Sequence, residues 1–122
     1  MTQISHPSNP KEPLGLWLFK IITGPIILVI LTIHFLVNHL LAPNGLLTYA
    51  EVIAYYKNPI VPIMEIIFVC FAVAHSLTGL RGIVLDLNPS QRILRIFDWL
   101  LLILGSTAIL YGIWLALTIA SA

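Results

Sequence analysis

Three of the four histidines lie inside long apolar stretches, where an ionisable side chain is unusual. His34 and His39 fall near the end of the first such stretch, and His75 falls in the middle of the second. The fourth, His6, belongs to a polar N-terminal segment and is interpreted as solvated. An ionisable group in hydrocarbon is costly unless it has a partner, a polar cavity or a cofactor. The three histidines within the apolar stretches are therefore the first candidates for chemistry, with His39 interpreted as an interfacial residue.

Small side chains surround His75, among them Ala72, Ala74, Ser76 and Gly79. They leave room for a close, flat neighbour, which is either another helix or the face of a porphyrin. Imidazole is a common axial ligand of haem iron, so His75 is a candidate haem ligand. The alternative is a structural role, in which small residues permit close helix packing and the imidazole hydrogen-bonds to a neighbouring backbone.

A second cluster of candidates consists of the charged residues Arg81, Asp86, Arg92, Arg95 and Asp98. The guanidinium fork matches carboxylates, so Arg81 is a candidate partner for the propionates of a haem. Asp86 is a candidate for binding or protonating a small polar ligand such as a quinone, and the alternative is that it pairs with Arg81 or Arg92. The arginines also fit the role of ordinary anchors at a membrane boundary.

Composition excludes a conventional soluble enzyme. Of 122 residues, 59% are hydrophobic and 9% are charged, whereas soluble domains average about 45–50% apolar and about 25% charged residues. A membrane span needs roughly 20 apolar residues, so the chain has room for three. A single cysteine excludes a disulfide scaffold, and a net charge of +1 gives no indication of a nucleic-acid partner.

Proline, glycine and asparagine residues divide the chain into predicted elements. Residues 1–14 form an arm, and residues 15–122 form a three-helix transmembrane anchor with spans at about 15–41, 59–87 and 91–120. Residues 46–57 carry tyrosines among apolar residues, which predicts a short interfacial helix between the first and second spans. The predicted fold class is an all-α integral membrane protein.

The basic residues predict the orientation of the spans. Lys11 and Lys20 flank the start of the first span, and the three arginines cluster around the turn between the second and third, whereas the other side has only Lys57. The N-terminal arm is therefore predicted to be cytoplasmic. Since the first arginine is Arg81, the arm lacks the character of an organelle transit peptide. We expect a multi-pass protein of the prokaryotic cell (inner) membrane.

Helix rise gives the expected depth of the two candidate ligands. His75 lies eleven residues before Asp86, about 16 Å from the cytoplasmic end of its span at 1.5 Å per residue. His34 lies fourteen residues after Lys20, about 21 Å from the same boundary. We therefore do not expect the two histidines to bind one iron. His34 is a candidate ligand of a second haem, each haem being completed by a histidine from another subunit.

Residues 75–86, HSLTGLRGIVLD, resemble the second-span signature of the small hydrophobic D-type membrane-anchor subunit of succinate dehydrogenase (succinate:quinone oxidoreductase). In that signature a histidine is followed by a glycine, often as Gly-Leu-Arg, and eleven residues later by an aspartate. Residues 19–24, FKIITG, are similar to the segment that opens the family's first span. Three spans with an inner N-terminus also match, so the resemblance covers the chain after the arm.

The resemblance implies that His75 is an axial ligand of haem b, shared with a histidine of a C-type cytochrome b anchor subunit. The two anchors would hold an iron–sulfur subunit and a flavoprotein subunit to the membrane, so this chain would be a non-catalytic subunit. Asp86 matches the family's aspartate close to the quinone site, although Leu87 stands where many members have a tyrosine. His34 looks like the first-span histidine of two-haem members, which implies one or two haems per complex and quinone as substrate.

Two alternatives stay open on the sequence. The first is an anchor of a fumarate reductase or another quinone-linked oxidoreductase, because the direction of catalysis depends on the quinone and the soluble subunits. The second is a haem-free structural or assembly protein, whose histidines only make hydrogen bonds between helices.

Overall fold

A computed structural model describes residues 12–40, 42 and 44–122. The first part of the predicted cytoplasmic arm, with His6 and Lys11, lies outside these residues. The regular elements are helices: α1 (Leu14–Phe35), which continues into a π-helical turn (Leu36–Leu40), α2 (Tyr49–Tyr56), α3 (Ile60–Asp86) and α4 (Gln91–Ala120). The three long helices are long and apolar enough to cross a membrane, which confirms the predicted all-α class with three spans. The side on which the N-terminus lies stays a prediction.

Short connections with defined caps bring the helices together. Thr48 begins α2 with a capping box, in which its hydroxyl accepts a hydrogen bond from the Glu51 N–H and the Glu51 carboxylate accepts one from the Thr48 N–H. Between α3 and α4, Asn88 has a φ of 53°, a left-handed conformation that asparagine adopts more readily than most residues. Pro89 then stops the chain from continuing as a helix, and the Ser90 hydroxyl caps α4.

Helix α3 packs against both other long helices, α1 on one side and α4 on the other. Two glycines of α4 set the closeness of the α3–α4 contact. A Cβ atom on Gly105 would lie 2.6 Å from Leu77 Cδ1, and one on Gly112 would lie 2.8 Å from Val69 Cγ1. Small residues at these positions allow the two backbones to approach, as is typical of helix pairs in membranes. The short helix α2 packs against α3 and α4.

The outer surface of the described chain is apolar. Large hydrophobic side chains are exposed along all three long helices, and the buried apolar residues are few: Ala42, Val61, Leu85, Leu94 and Ala116. Lipid tails are as apolar as these side chains, so hydrophobicity does not hold such helices together in a bilayer. Close packing at small residues and polar contacts between helices must fix their arrangement.

Candidate functional site

The His75 side chain extends from α3 to α1, where it makes a hydrogen bond. Its Nδ1 atom is 2.9 Å from the Thr23 hydroxyl oxygen. The same hydroxyl donates to the Phe19 carbonyl oxygen, one turn earlier in α1, at 2.7 Å. Thr23 is 2% exposed, and among the described residues it is the one polar residue that is buried.

This pair of contacts determines which nitrogen of His75 carries the proton. A carbonyl oxygen only accepts, so the single hydroxyl hydrogen of Thr23 must lie on the short contact with Phe19. The contact with His75 therefore needs the hydrogen of Nδ1–H, with Thr23 as acceptor. In a neutral imidazole with a proton on Nδ1, the other nitrogen, Nε2, keeps a free lone pair. His75 is thus in the tautomer that can donate Nε2 to a metal.

Two glycines lie near the His75 ring, and one of them borders open space. A Cβ atom on Gly24, in α1, would lie 3.4 Å from His75 Cε1, so the backbone of α1 lies close to the ring. Gly79 lies one turn after His75 on α3, hence on the same helix face. A Cβ atom there would meet nothing within 4 Å. The face that carries His75 therefore has room beside the imidazole for a flat group.

His34 has a carboxylate partner that the sequence did not assign to it. Its Nε2 atom lies 3.3 Å from Glu65 Oε1, with the side chains 37% and 13% exposed, respectively. The imidazole also stacks on Phe68, with ring centroids 6.0 Å apart. Glu65 thereby links α3 to α1 within the chain.

The short helix α2 contributes two tyrosines near the same carboxylate. Burial raises the pKa of Tyr55 above its ordinary value, and the negative charge of Glu65 adds to the effect. Burial likewise raises the pKa of Tyr56, again with a contribution from Glu65. These tyrosines and the His34–Glu65 pair form a cluster of ionisable groups near the beginning of α3.

Arg81 joins α3 to α4 rather than contacting His75. Its Nε donates to Asp98 Oδ1 at 2.6 Å and its Nη2 donates to Asp98 Oδ2 at 3.2 Å. The remaining Nη1 is buried and has no hydrogen-bond partner among the described residues. Both side chains line a mostly apolar cleft of about 430 Å³ between α3 and α4. The suggested pairing of Arg81 with Asp86 is therefore not observed.

Asp86 ends α3 and is exposed. Within the part of the chain that the structure describes, its carboxylate makes no ion pair or side-chain hydrogen bond. It is accordingly available to a ligand or to another subunit. His39 is also exposed, with Nδ1 3.1 Å from the Gly45 carbonyl oxygen.

The candidate residues thus occupy separate levels along the helices. On α3, His75 lies ten residues from Glu65 and six from Arg81, which is about 15 Å and about 9 Å at 1.5 Å per residue. The structure does not bring His34 or Arg81 to His75. Residues 12–40, 42 and 44–122 contain no group of three or more side chains arranged to hold a metal ion.

Comparison with known proteins gives a consistent result. The model of the family described as succinate dehydrogenase/fumarate reductase transmembrane subunit matches residues 2–120. The chain is 29% identical over 119 residues to the succinate dehydrogenase hydrophobic membrane anchor subunit of Archaeoglobus fulgidus, covering 98% of this chain and 100% of that one. It is 32% identical over 117 residues to the succinate dehydrogenase 2 membrane subunit SdhC of Mycobacterium tuberculosis, covering 89% of this chain and 83% of that one. No solved structure is significantly similar.

The family model covers almost the whole length of the chain, including all three apolar helices. This multi-pass chain therefore belongs to the family of succinate dehydrogenase and fumarate reductase transmembrane subunits.

Proposed function

We propose that this chain is a membrane-anchor subunit of a succinate dehydrogenase and that His75 is an axial ligand of haem b. The family makes the chain a non-catalytic subunit of an oxidoreductase complex. The observation that carries the haem assignment is the contact between His75 Nδ1 and the Thr23 hydroxyl, from which the tautomer of His75 follows. Its Nδ1–H is bound to Thr23, so the Nε2 lone pair is available for iron.

The residues around His75 fit a haem. Gly79 leaves open space on the face of α3 that carries the imidazole, as the edge of a porphyrin requires. Bound there, haem b would supply a one-electron carrier between an iron–sulfur subunit and quinone. His75 would bind the iron, and a histidine of a second anchor subunit would complete the coordination. The buried Nη1 of Arg81, which has no partner among the described residues, is the proposed donor to a propionate.

Asp86 is proposed to help form the quinone site at the cytoplasmic end of α3. Its support is its exposed position at the end of a span and its lack of an ion pair within the described chain. The matching test is Asp86→Asn, which should lower quinone reduction while leaving the haem spectrum unchanged. Loss of both properties together would instead indicate damage to assembly.

For His34 the geometry favours the contact with Glu65 over a second haem. Its Nε2 atom is already 3.3 Å from Glu65, so a second iron would have to displace that carboxylate or bind Nδ1. We therefore propose one haem per pair of anchors. A complex with two haems, one of which is lost in His34→Ala, would contradict this.

The decisive experiment uses the complex purified with its co-expressed partners. His75→Ala should remove the reduced-minus-oxidised b-type signal, and the matched control His39→Ala, which changes an exposed histidine, should retain it. A b-type signal unchanged in His75→Ala would refute the ligand assignment. The identity of the co-purifying chains tests the rest: a flavoprotein and an iron–sulfur protein are expected, and their absence would favour a haem-free assembly protein.

A further inference from the structure

We propose that Thr23 is a positioning residue for the haem ligand: it holds His75 in the iron-binding tautomer and tunes the iron through the Nδ1–H hydrogen bond. This inference rests on the proposed function, because it assumes that His75 binds iron. It concerns a residue of α1 to which the sequence analysis gave no role of its own.

The first observation is that Thr23 differs from the other threonine of α1. Both hydroxyls donate to the carbonyl oxygen four residues earlier, Thr23 to Phe19 and Thr32 to Leu28. Thr32 is exposed and makes that bond alone, whereas Thr23 is 2% exposed and also contacts His75. Backbone bonding is therefore common to both threonines, and the contact with the imidazole is particular to Thr23.

The second observation is that Gly24, the residue after Thr23, lies against the imidazole ring of His75. A Cβ atom on Gly24 would lie 3.4 Å from His75 Cε1, the carbon between the two ring nitrogens. The backbone of α1 thus borders the ring at the carbon beside the nitrogen that Thr23 binds. Together, the two consecutive residues limit both the position and the rotation of the imidazole.

Loss of the Thr23 hydroxyl has two expected consequences for the ligand. The Nδ1–H group would lose the acceptor it has in the described chain, so the ring could rotate or move its proton to Nε2, the form that does not bind iron. A hydrogen bond to the far nitrogen also makes the imidazole more basic, which favours ferric over ferrous iron. Removing the bond should therefore weaken haem binding and raise the midpoint potential of the haem.

The test uses the intact complex and compares Thr23→Val, which keeps the shape, with Thr23→Ser, which keeps the hydroxyl. Thr32→Val is the matched control. In Thr23→Val, haem transfer to excess apomyoglobin should reveal a roughly 10- to 100-fold weaker affinity, as is typical when a partner of a metal-binding histidine is removed. The retained haem should have a higher midpoint potential. Thr23→Ser should restore both properties, and Thr32→Val should change neither.

Each outcome bears on the proposal. Wild-type affinity and potential in Thr23→Val would overturn it, and so would a lower haem content with an unchanged potential, which a purely structural role predicts. If Thr23→Val does not assemble, Thr23→Ser and Thr23→Ala differ only in the hydroxyl, and equal potentials in these two would overturn it. Retention of haem in His75→Ala would instead refute the proposed function, since the positioning role then has no ligand to act on.

Discussion

Removal of Asp98 tests whether the Arg81–Asp98 pair holds α3 against α4. The pair has two parallel hydrogen bonds, of 2.6 Å and 3.2 Å, and its side chains are 21% and 39% exposed. In Asp98→Leu the guanidinium of Arg81 loses both of its hydrogen-bond acceptors, and its charge is left without a partner on a helix that spans the membrane. The structure therefore predicts a loss of stability well above that of an ordinary surface substitution.

The size of the loss follows from the exposure of the pair. Removing one partner of a buried ion pair costs about 3–5 kcal/mol, and an exposed pair contributes about 0–1 kcal/mol. Asp98 retains more than a third of its surface and Arg81 retains less, so the pair falls between these limits. We expect Asp98→Leu to lower the free energy of unfolding by about 2–3 kcal/mol.

The assay is a double-mutant cycle measured by sodium dodecyl sulfate titration of the purified membrane subunits, followed by circular dichroism. The double variant Arg81→Met/Asp98→Leu should recover most of the loss, because replacing both charges with apolar side chains is often neutral or stabilising. Arg92→Met, at an exposed arginine without an ion pair among the described residues, should change stability by less than about 0.5 kcal/mol. A double variant as unstable as the sum of its single variants would refute the reasoning.

Three further measurements address other contacts. Gly112→Ala should lower the free energy of unfolding by about 1–3 kcal/mol. The loss should exceed that of Gly105→Ala, because the new methyl at position 112 meets the stiff side chain of Val69, whereas the one at position 105 meets the flexible end of Leu77. Equal losses in the same titration would contradict this. Glu65→Leu should cost about 1–3 kcal/mol by leaving the His34 imidazole without its polar partner, and Glu65→Gln, which keeps a side-chain oxygen, should cost less; equal costs would contradict this. The Glu51 carboxylate accepts hydrogen bonds from the Thr48 N–H, which has the larger effect, and from the Thr48 hydroxyl, and these bonds hold the pKa of Glu51 below its ordinary value of 4.5. The start of α2 should therefore keep its stability above pH 4.5 and lose it as the pH falls further. Amide protection at Glu51 that is unchanged at low pH would contradict that sign.

The three long helices could be predicted because apolar stretches and breaker residues decide them locally. Asn88 and Pro89 end the second span through their own backbone preferences. A long apolar segment that crosses a bilayer must satisfy its backbone hydrogen bonds internally, which a helix does. The tyrosines among apolar residues led to the prediction of a short interfacial helix at residues 46–57, and its location at the membrane interface stays a prediction.

The partners of the charged residues were harder to predict, and the reason is register. Arg81 and Asp98 lie almost equally far from the short turn between α3 and α4, so an antiparallel hairpin brings them together. The sequence interpretation gave Arg81 or Arg92 as alternative partners of Asp86, but Arg81 and Asp86 are five residues apart on α3, which corresponds to about 140° of rotation. The hairpin register could therefore have identified the correct partner.

The contacts between α1 and α3 could not be derived in this way. The link between these helices contains a π-helical turn, an irregular segment and α2, so its length does not fix how far one helix slides along the other. Thr23 and Glu65 consequently gave no signal as partners of the histidines. Their types are ordinary for membrane helices, and only the observed register gives them a role.

The separation of the histidines explains why such a chain should work as one of a pair. A haem iron held by two histidines would need a second imidazole donor besides His75. Within the described residues, His34 lies eleven residues from Thr23 along α1, about 16 Å from the level of His75, and its Nε2 faces Glu65. His39 lies farther along the same segment. Because neither histidine of α1 and its π-helical turn lies at the level of His75, the described residues offer no second histidine for the proposed haem, which fits the proposal that a partner anchor would supply it.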